Sequence, residues 1–390
     1  MSDNSSYRIL AGTVADHRME RHNVIVNIHE REIVSLDTWN DSTRPESGDI
    51  DARDAIVLPG FIDIHIHGGA GRSVMEGTYE ALYEISKHLA RHGVTGWLPT
   101  TVTAAWEDQI KVLDAVENCL AGFTPVLEAA ILGVHLEGPY INPKKKGAQP
   151  EQFILLPDMD EFQRLTSDHF DNILIMTLAP EMPGALEFIR FLVSQNIIAS
   201  IGHTDATYAE ISAAIDAGAS HLTHTFNAMR PMDSREPGVV GAAFSRPELT
   251  AELIWDNVHV HPASCRALVA AKGTDGVILI SDGVQGAGMP DGYSFSFGDL
   301  PINIKDGRAT LPDGTLAGSV LTLDQAFRNA QGYTLSQRSA MTSYNAARSL
   351  RSTDGFGTLA PGHIADLVIL NRDETVRRTI VNGVSVYVAA

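Results

Sequence analysis

The sequence predicts a (β/α)8 TIM-like barrel carrying a small β-sandwich domain built from both chain termini. Three observations predict it. The middle of the chain alternates short apolar runs with amphipathic stretches, about eight units over roughly 300 residues, the scale of such a barrel. Both ends have the texture of short strands and polar turns. His, Glu and Asp residues recur where the apolar runs stop, and the C-terminal ends of parallel barrel strands converge on one point.

From the N-terminus, strands are expected at Tyr7–Gly12, Val24–His29, Ile33–Asp37 and Ala55–Leu58. The stretch Trp39–Asp51, rich in Asp, Ser, Pro and Gly, reads as a loop. The chain returns to this texture at Ala365–Leu370, Thr379–Val381 and Ser385–Val388, with Asn382-Gly383 as a hairpin turn. Residues 1–57 and 358–390 are therefore assigned to the small domain and 58–357 to the barrel. Barrel strands are expected to follow the apolar run Leu58–Asp63, at Gly96–Thr100, Ile131–Glu137, Ile173–Leu178, Ile198–Gly202, His221–Thr223, Glu252–Trp255 and Val277–Ser281. Between them, Thr78–His92, Trp106–Leu120, Pro183–Gln195, Tyr208–Ala217 and Pro262–Ala271 read as helices. A doubly wound open sheet is the alternative topology. It would usually bring a Gly-rich phosphate turn after an early strand, and no such spacing occurs.

Bulk properties exclude several function classes. The chain has 390 residues, with 44% hydrophobic and 20% charged, an ordinary globular composition. Its net charge of −19, without a basic stripe, argues against a nucleic-acid partner. A small phosphorylated substrate needs only a local cationic pocket and stays open. Cys119 and Cys265 are too few for a disulfide framework. The polar start, Met1 to Leu10, lacks the apolar region of a signal peptide. No run of about 18 apolar residues exists, so no membrane span is expected. A cytoplasmic setting is the expectation.

The chemistry-bearing residues follow in order. His65 and His67 form a His-x-His on a strand, where period two puts both rings on one face and lets one ion bind both. A second His-x-His, His259 and His261, shows that the motif alone is weak. Glu137 ends an apolar run, where a buried carboxylate needs a cation or donors. His135 shares its strand face and is expected to hold a ligand in place. His203 and His224 close consecutive strands, whereas His221 should face away and be structural. Asp282 ends a late strand and is placed to take a proton from an attacking water and pass it to a leaving group. Arg235 is a candidate anion clamp. Lys144-Lys145-Lys146 could attract an anion but reads as a solvated charge run. Mixed His/carboxylate ligands suit Zn²⁺, and Fe²⁺, Mn²⁺ or Co²⁺ equally by type.

These residues resemble the N-acetylglucosamine-6-phosphate deacetylases of the amidohydrolase superfamily over nearly the whole chain. The likeness runs through Leu58–Asp63, His135-Leu136-Glu137-Gly138-Pro139, Thr177–Glu181, Gly202-His203-Thr204 and Thr223-His224 with Asn227-Ala228-Met229. It continues in Arg235–Gly238, Ser281-Asp282, Leu316–Ser319 and Pro361–Val368. The resemblance implies that Glu137, His203 and His224 bind the principal metal and that Asp282 is the acid–base residue. It implies that Ala148, Gln149, Asn227, Ala228, His259 and the loop Leu316, Ala317, Gly318 contact a sugar phosphate. Arg235 would reach the phosphate, often across the interface of a homodimer. Some family members lack the His-x-His; with His65 and His67 present, this chain is similar to the two-metal type, with Glu137 bridging. Some carry His where this chain has Gln149, which leaves the substrate contact there open.

The implied reaction is hydrolysis of the acetamide of N-acetyl-D-glucosamine 6-phosphate. Three alternatives stand beside it: the N-acetylgalactosamine 6-phosphate epimer as substrate, a cyclic-amide hydrolase or deaminase on the same barrel, and a catalytically dead binding barrel. Many cyclic-amide enzymes bridge two metals through a carboxylated Lys, so the bridging residue discriminates. A dead barrel would have lost ligands, and this chain has kept every expected one.

Overall fold

The computed structural model describes residues 6–122, 128–297, 300–351 and 355–390, so part of the polar start (1–5) lies outside the described residues. Strands from both termini share one sheet. Its order is Val384–Val388, Val376–Val381, Leu367–Leu370, Ile50–Pro59, Ser6–Asp16, Met19–His29 and Glu32–Thr38. Ser6–Asp16 pairs parallel with Ile50–Pro59, and every other pair is antiparallel. The ladders run through a single seven-stranded sheet, where the sequence suggested two stacked ones. Ile9, Val26, Ile33, Val57, Ile369 and Ile380 meet in one core, so the sheet folds over its own apolar face. Strand Ile50–Pro59 also takes the last two residues of the expected 39–51 loop. Asn382 and Gly383, at φ 49° and 75°, make the two-residue turn that right-handed strand twist favours.

The middle of the chain has a TIM-barrel-type fold. A six-stranded parallel sheet runs through Val134–Glu137, Ile173–Leu178, Ile198–Ile201, His221–Leu222, Thr250–Ile254 and Val277–Ile280. A second parallel sheet pairs Phe61–Ile66, Val94–Pro99 and Ala130–Ile131. Isolated bridges Thr100↔His135 and Ile66↔Gly283 join the two at both ends. The expected strand Ile131–Glu137 is thus broken into two pieces. Gly133 sits at φ 155°, and a Cβ there would lie 2.6 Å from Leu174, so the chain steps from one sheet to the other at a residue without a side chain.

The connecting helices bury apolar stripes against this sheet. Tyr79–Arg91 starts from a Thr78 cap on Ala81 N and buries Leu82, Ile85 and Leu89. Tyr208–Ala217 starts from a Thr207/Glu210 capping box. Gly238–Ser245 also forms a helix, one without polar periodicity, because it is buried along most of its length. After the last parallel strand, Ser294–Phe297, Leu300–Lys305 and Arg308–Thr310 form a small antiparallel sheet with an Asp306-Gly307 turn. Ile302, Ile304, Ala309, Val284 and Ala317 pack beneath it and set the loop at 315–318 over the barrel mouth. No helix among the described residues is long and apolar enough to cross a membrane.

Candidate active site

His65, His67, Glu137, His203, His224 and Asp282 meet at the C-terminal mouth of the parallel strands, all buried. They form two abutting groups. In one, Glu137 Oε1 lies 3.3 Å from His203 Nε2 and 3.1 Å from His224 Nε2, and those nitrogens are 3.1 Å apart. In the other, His65 and His67 Nε2 are 3.3 Å apart and Asp282 Oδ1 lies 3.7 and 3.3 Å from them. Glu137 spans both, with Oε1 3.4 Å from His65 Nε2 and Oε2 3.4 Å from His67 Nε2. The residue between the groups is a glutamate; Lys144–Lys146 are in a loop, which removes the carboxylated-lysine alternative.

The backbone at these strand ends is bent to present the side chains. His203, His224 and Asp282 have φ of 46°, 31° and 49°, and the following loop holds Phe226 and Ala228 at 83° and 47°. Left-handed φ in non-glycine residues costs on the order of 1–3 kcal/mol each and clusters at functional sites.

Three imidazoles have their tautomers fixed from behind. Nδ1–H donates to Lys145 O in His203 (2.8 Å), to Thr100 O in His67 (3.1 Å) and to Glu252 Oε2 in His65 (3.0 Å). Their Nε2 lone pairs therefore point at the shared centre. The His65 and His67 lone pairs, 3.3 Å apart, repel, and a cation between them relieves that repulsion together with the charge of the facing carboxylates. Ligand atoms about 2.0–2.1 Å from a tetrahedral ion stand roughly 3.3–3.4 Å from one another, close to the spacing here. The residues fit divalent ions. Burial opposes ionisation of Glu137, yet the His203, His224 and His65 rings hold its carboxyl well below the usual range. Burial likewise opposes charge on Asp282, and His67 and His65 bring it down to about 2, an ionised base. Glu137 and Glu252 outweigh burial and favour positive charge at His65, charge that a cation at Nε2 would supply in place of a proton.

A cavity of about 380 Å³ opens above the cluster. Ala148, Gln149, Asn227, Ala228, His259, Leu316, Ala317 and Gly318 line it, as the sequence led one to expect. Gln149 is committed elsewhere, however. Its Nε2 donates to Glu137 Oε2 at 2.5 Å and its Oε1 accepts from Thr103 N at 2.8 Å, so its amide braces Glu137. His259 is oriented by Asp256, whose Oδ2 lies 2.6 Å from Nδ1. Arg235 does not line this cavity; it sits on an exposed loop.

Among the other residues, Lys144 and Lys145 depart from their sequence reading, His135 and His221 lie as that reading has them, and two carboxylates are absent from it. Lys144 and Lys145 line the cavity and bring cationic charge to its rim. His135 lies edge-on to His65, with Nδ1 on Ile64 O and Nε2 on Thr177 Oγ1, and burial keeps it neutral. His221 turns outward to Ser349. His261 caps the helix Pro262–Lys272 through Ala263 N, so the second His-x-His divides between two tasks. Glu252 and Asp63, both fully buried carboxylates beneath the cluster, were not singled out in the sequence. A lone acid inside an apolar strand was the available signal for each.

The amidohydrolase family model matches residues 56–386. The N-acetylglucosamine-6-phosphate deacetylase of Bacillus subtilis (strain 168) is 40% identical over 93% of this chain and 92% of its own. The N-acetylgalactosamine-6-phosphate deacetylase of Escherichia coli O157:H7 is 38% identical over 85% of this chain and 88% of its own. Among solved structures, a point mutant of the N-acetyl-D-glucosamine-6-phosphate deacetylase of Mycobacterium smegmatis, in complex with N-acetyl-D-glucosamine-6-phosphate, superposes with a TM-score of 0.91. It is 33% identical, covering 98% of this chain and 99% of that one.

Proposed function

The chain belongs to the amidohydrolase family, and from that premise we propose that it hydrolyses the acetamide of N-acetyl-D-glucosamine 6-phosphate to D-glucosamine 6-phosphate and acetate. One observation carries the reading: two abutting ligand groups share Glu137 on the floor of a cavity, with the ionised Asp282 beside them. Glu137, His203 and His224 would hold one divalent ion, and His65, His67 and Asp282 a second. Such ions polarise an acyl oxygen and acidify water. Asp282 takes the proton of the attacking water and delivers it to the departing nitrogen, which then leaves as a neutral amine. His259, fixed by Asp256, holds the substrate, and Asn227, Ala228 and the 316–318 loop surround the sugar. Lys144 and Lys145 supply positive charge near the mouth, and Arg235 reaches the phosphate of a neighbouring subunit in a homodimer.

Charge balance favours two ions. Asp63, Glu137, Glu252 and Asp282 are buried together, and no Lys or Arg pairs with any of them among the described residues. Zn²⁺ suits the donors, with Fe²⁺, Mn²⁺ and Co²⁺ as substitutes. The protein works in the cytoplasm. The galacto epimer is the second reading, because the relative of that name is nearly as similar. The deciding experiment is acetate release from both epimers by chelated and metal-restored protein. Metal-dependent release from the gluco substrate supports the proposal. Release from the galacto epimer alone moves the substrate, and release from neither by metal-loaded protein refutes the reaction.

A further inference from the structure

Beneath the two ligand groups, Glu252 projects from the strand Thr250–Ile254 and is wholly buried. Its Oε2 accepts from His65 Nδ1 at 3.0 Å and from the backbone N of His224 at 3.1 Å. Its own carbonyl accepts from Thr225 N at 2.8 Å. Its Oε1 has no hydrogen-bond partner. Glu252, His65 and His135 are close enough together to suggest an ion site of their own. The hydrogen bonds argue otherwise, because both His135 nitrogens and His65 Nδ1 are already engaged.

Stability does not account for this residue. A buried carboxylate with one bare oxygen and no Lys or Arg partner is destabilising unless nearby charge compensates it. What it contacts accounts for it better. His65 belongs to one ligand group and His224 to the other, and both Nε2 atoms face the same Glu137 oxygen. His224 sits at φ 31°, a conformation that persists only where surrounding contacts over-determine it. Glu252 grips this bend on both sides, through its side chain at His224 N and its carbonyl at Thr225 N. His67 and His203 are oriented by backbone carbonyls; His65 is oriented by a carboxylate, the arrangement that raises the basicity of a ligating imidazole.

We infer that Glu252 is a positioning residue shared by both ion sites: one carboxylate oxygen sets the His65 ring of one site and the His224 backbone bend of the other. This rests on the two-ion reading above. Loss of the carboxylate therefore loosens both ions together.

The test uses the full chain loaded with Co²⁺ or Zn²⁺. Ion content, affinity against a competing chelator, the visible Co²⁺ spectrum and the melting temperature of the metal-free protein are measured for the parent, Glu252→Gln and Glu252→Asp. Gln keeps an acceptor oxygen and removes the charge; Asp keeps the charge and withdraws the oxygen. The expected result is a loss of about ten- to a hundredfold in affinity at both sites, with an altered Co²⁺ spectrum. If Glu252→Gln does not fold, Glu252→Asp is read by the same criteria. A variant with a lower metal-free melting temperature but parental affinities and spectrum overturns the inference and leaves a structural role. Loss at one site alone overturns the sharing. A parent that binds fewer than two ions overturns the two-ion reading itself, and the inference with it.

Discussion

Asp366 offers a test of the electrostatics at the joint between the terminal sheet and the barrel. It is buried, its Oδ1 accepts from Asn382 N at 2.7 Å, and its Oδ2 has no partner. Burial pushes its carboxyl up to about 7 from an ordinary 3.8. Between those values the native chain binds a proton that the unfolded chain has released. Stability therefore falls as pH rises through this window and is flat above it. At about 1.36 kcal/mol per unit, the cost is on the order of 4 kcal/mol over the window, and about 3 kcal/mol of it accrues between pH 5 and 8. Asp366→Asn removes the titration and keeps an oxygen for Asn382 N. Its unpartnered amide adds only a penalty that does not vary with pH. Other titrating groups are common to both proteins and cancel in the difference. Unfolding entropy of about 2.1 cal/mol/K per residue makes 3 kcal/mol roughly 4 °C for a chain of this length. Melting temperatures are measured for both proteins with saturating metal at pH 5, 6, 7 and 8. The variant should gain about 4 °C relative to the parent across that range. A difference that stays constant, or moves the other way, refutes the assignment of a buried, protonatable Asp366.

Asp282→Asn should retain the ion held by Glu137, His203 and His224 and the parental fold, yet lose about 10²–10⁴-fold in turnover; full acetate release by this variant would discard the acid–base assignment. In Asp256→Asn, His259 loses the partner that outweighs burial and should titrate below the ordinary imidazole value, read by NMR of the ring. The pair's contribution to stability is present below the unfolded pKa and fades as pH rises through the raised native one. The parent's advantage over Asp256→Asn should therefore shrink at alkaline pH. Gly202→Ala would place a Cβ 2.6 Å from Thr223 Cβ and 2.7 Å from Thr177 Cγ2, inside a chain of buried hydroxyls. About 1–3 kcal/mol of destabilisation is expected, visible as a lower melting temperature, with weaker ion binding because His203 is the next residue.

The six clustered His, Glu and Asp residues are legible because a parallel barrel puts its chemistry where apolar runs end, and the sequence marks those ends with His, Glu and Asp. Residues that act through backbone or from below the cluster are not. Glu252 lies in a strand of otherwise apolar residues, and nothing in its local sequence marks it apart from the rest of that strand. Gln149 was expected on substrate, but its distance from Glu137 depends on how the 138–149 segment folds back. Lys144 and Lys145 looked like a solvated run because nothing local shows that their loop borders a cavity. The helix Gly238–Ser245 escaped notice because a segment buried on most sides carries no amphipathic period. The sheet at 294–310 is signalled in the sequence only by the Asp306-Gly307 turn, because its three strands are short and lie outside the strand–helix alternation of the barrel.

The site and the seam of the barrel are the same set of bonds. Asp282 N donates to His65 O at 2.9 Å, His67 N to Gly283 O at 2.8 Å and Gly68 N to Gly283 O at 3.0 Å, joining the last parallel strand to the first. His65, His67 and Asp282, the second ion site proposed above, thus come from the two strands that must meet for the ring to close. Glu137, His203 and His224 come from the six-stranded sheet, and Glu137 lies between the groups. Without an ion the seam holds buried carboxylates and opposed imidazole lone pairs; ions in the proposed sites would turn these into attraction. On the two-ion reading proposed above, ion-binding free energy would be folding free energy concentrated at this closure. Chelation should therefore raise hydrogen exchange first at the amides of His67, Gly68 and Asp282, while those of the strands Ile173–Leu178 and Ile198–Ile201 stay protected. Uniform loss of protection would mean that the barrel closes without help from the site. Unchanged exchange would mean that the ions do not hold the seam.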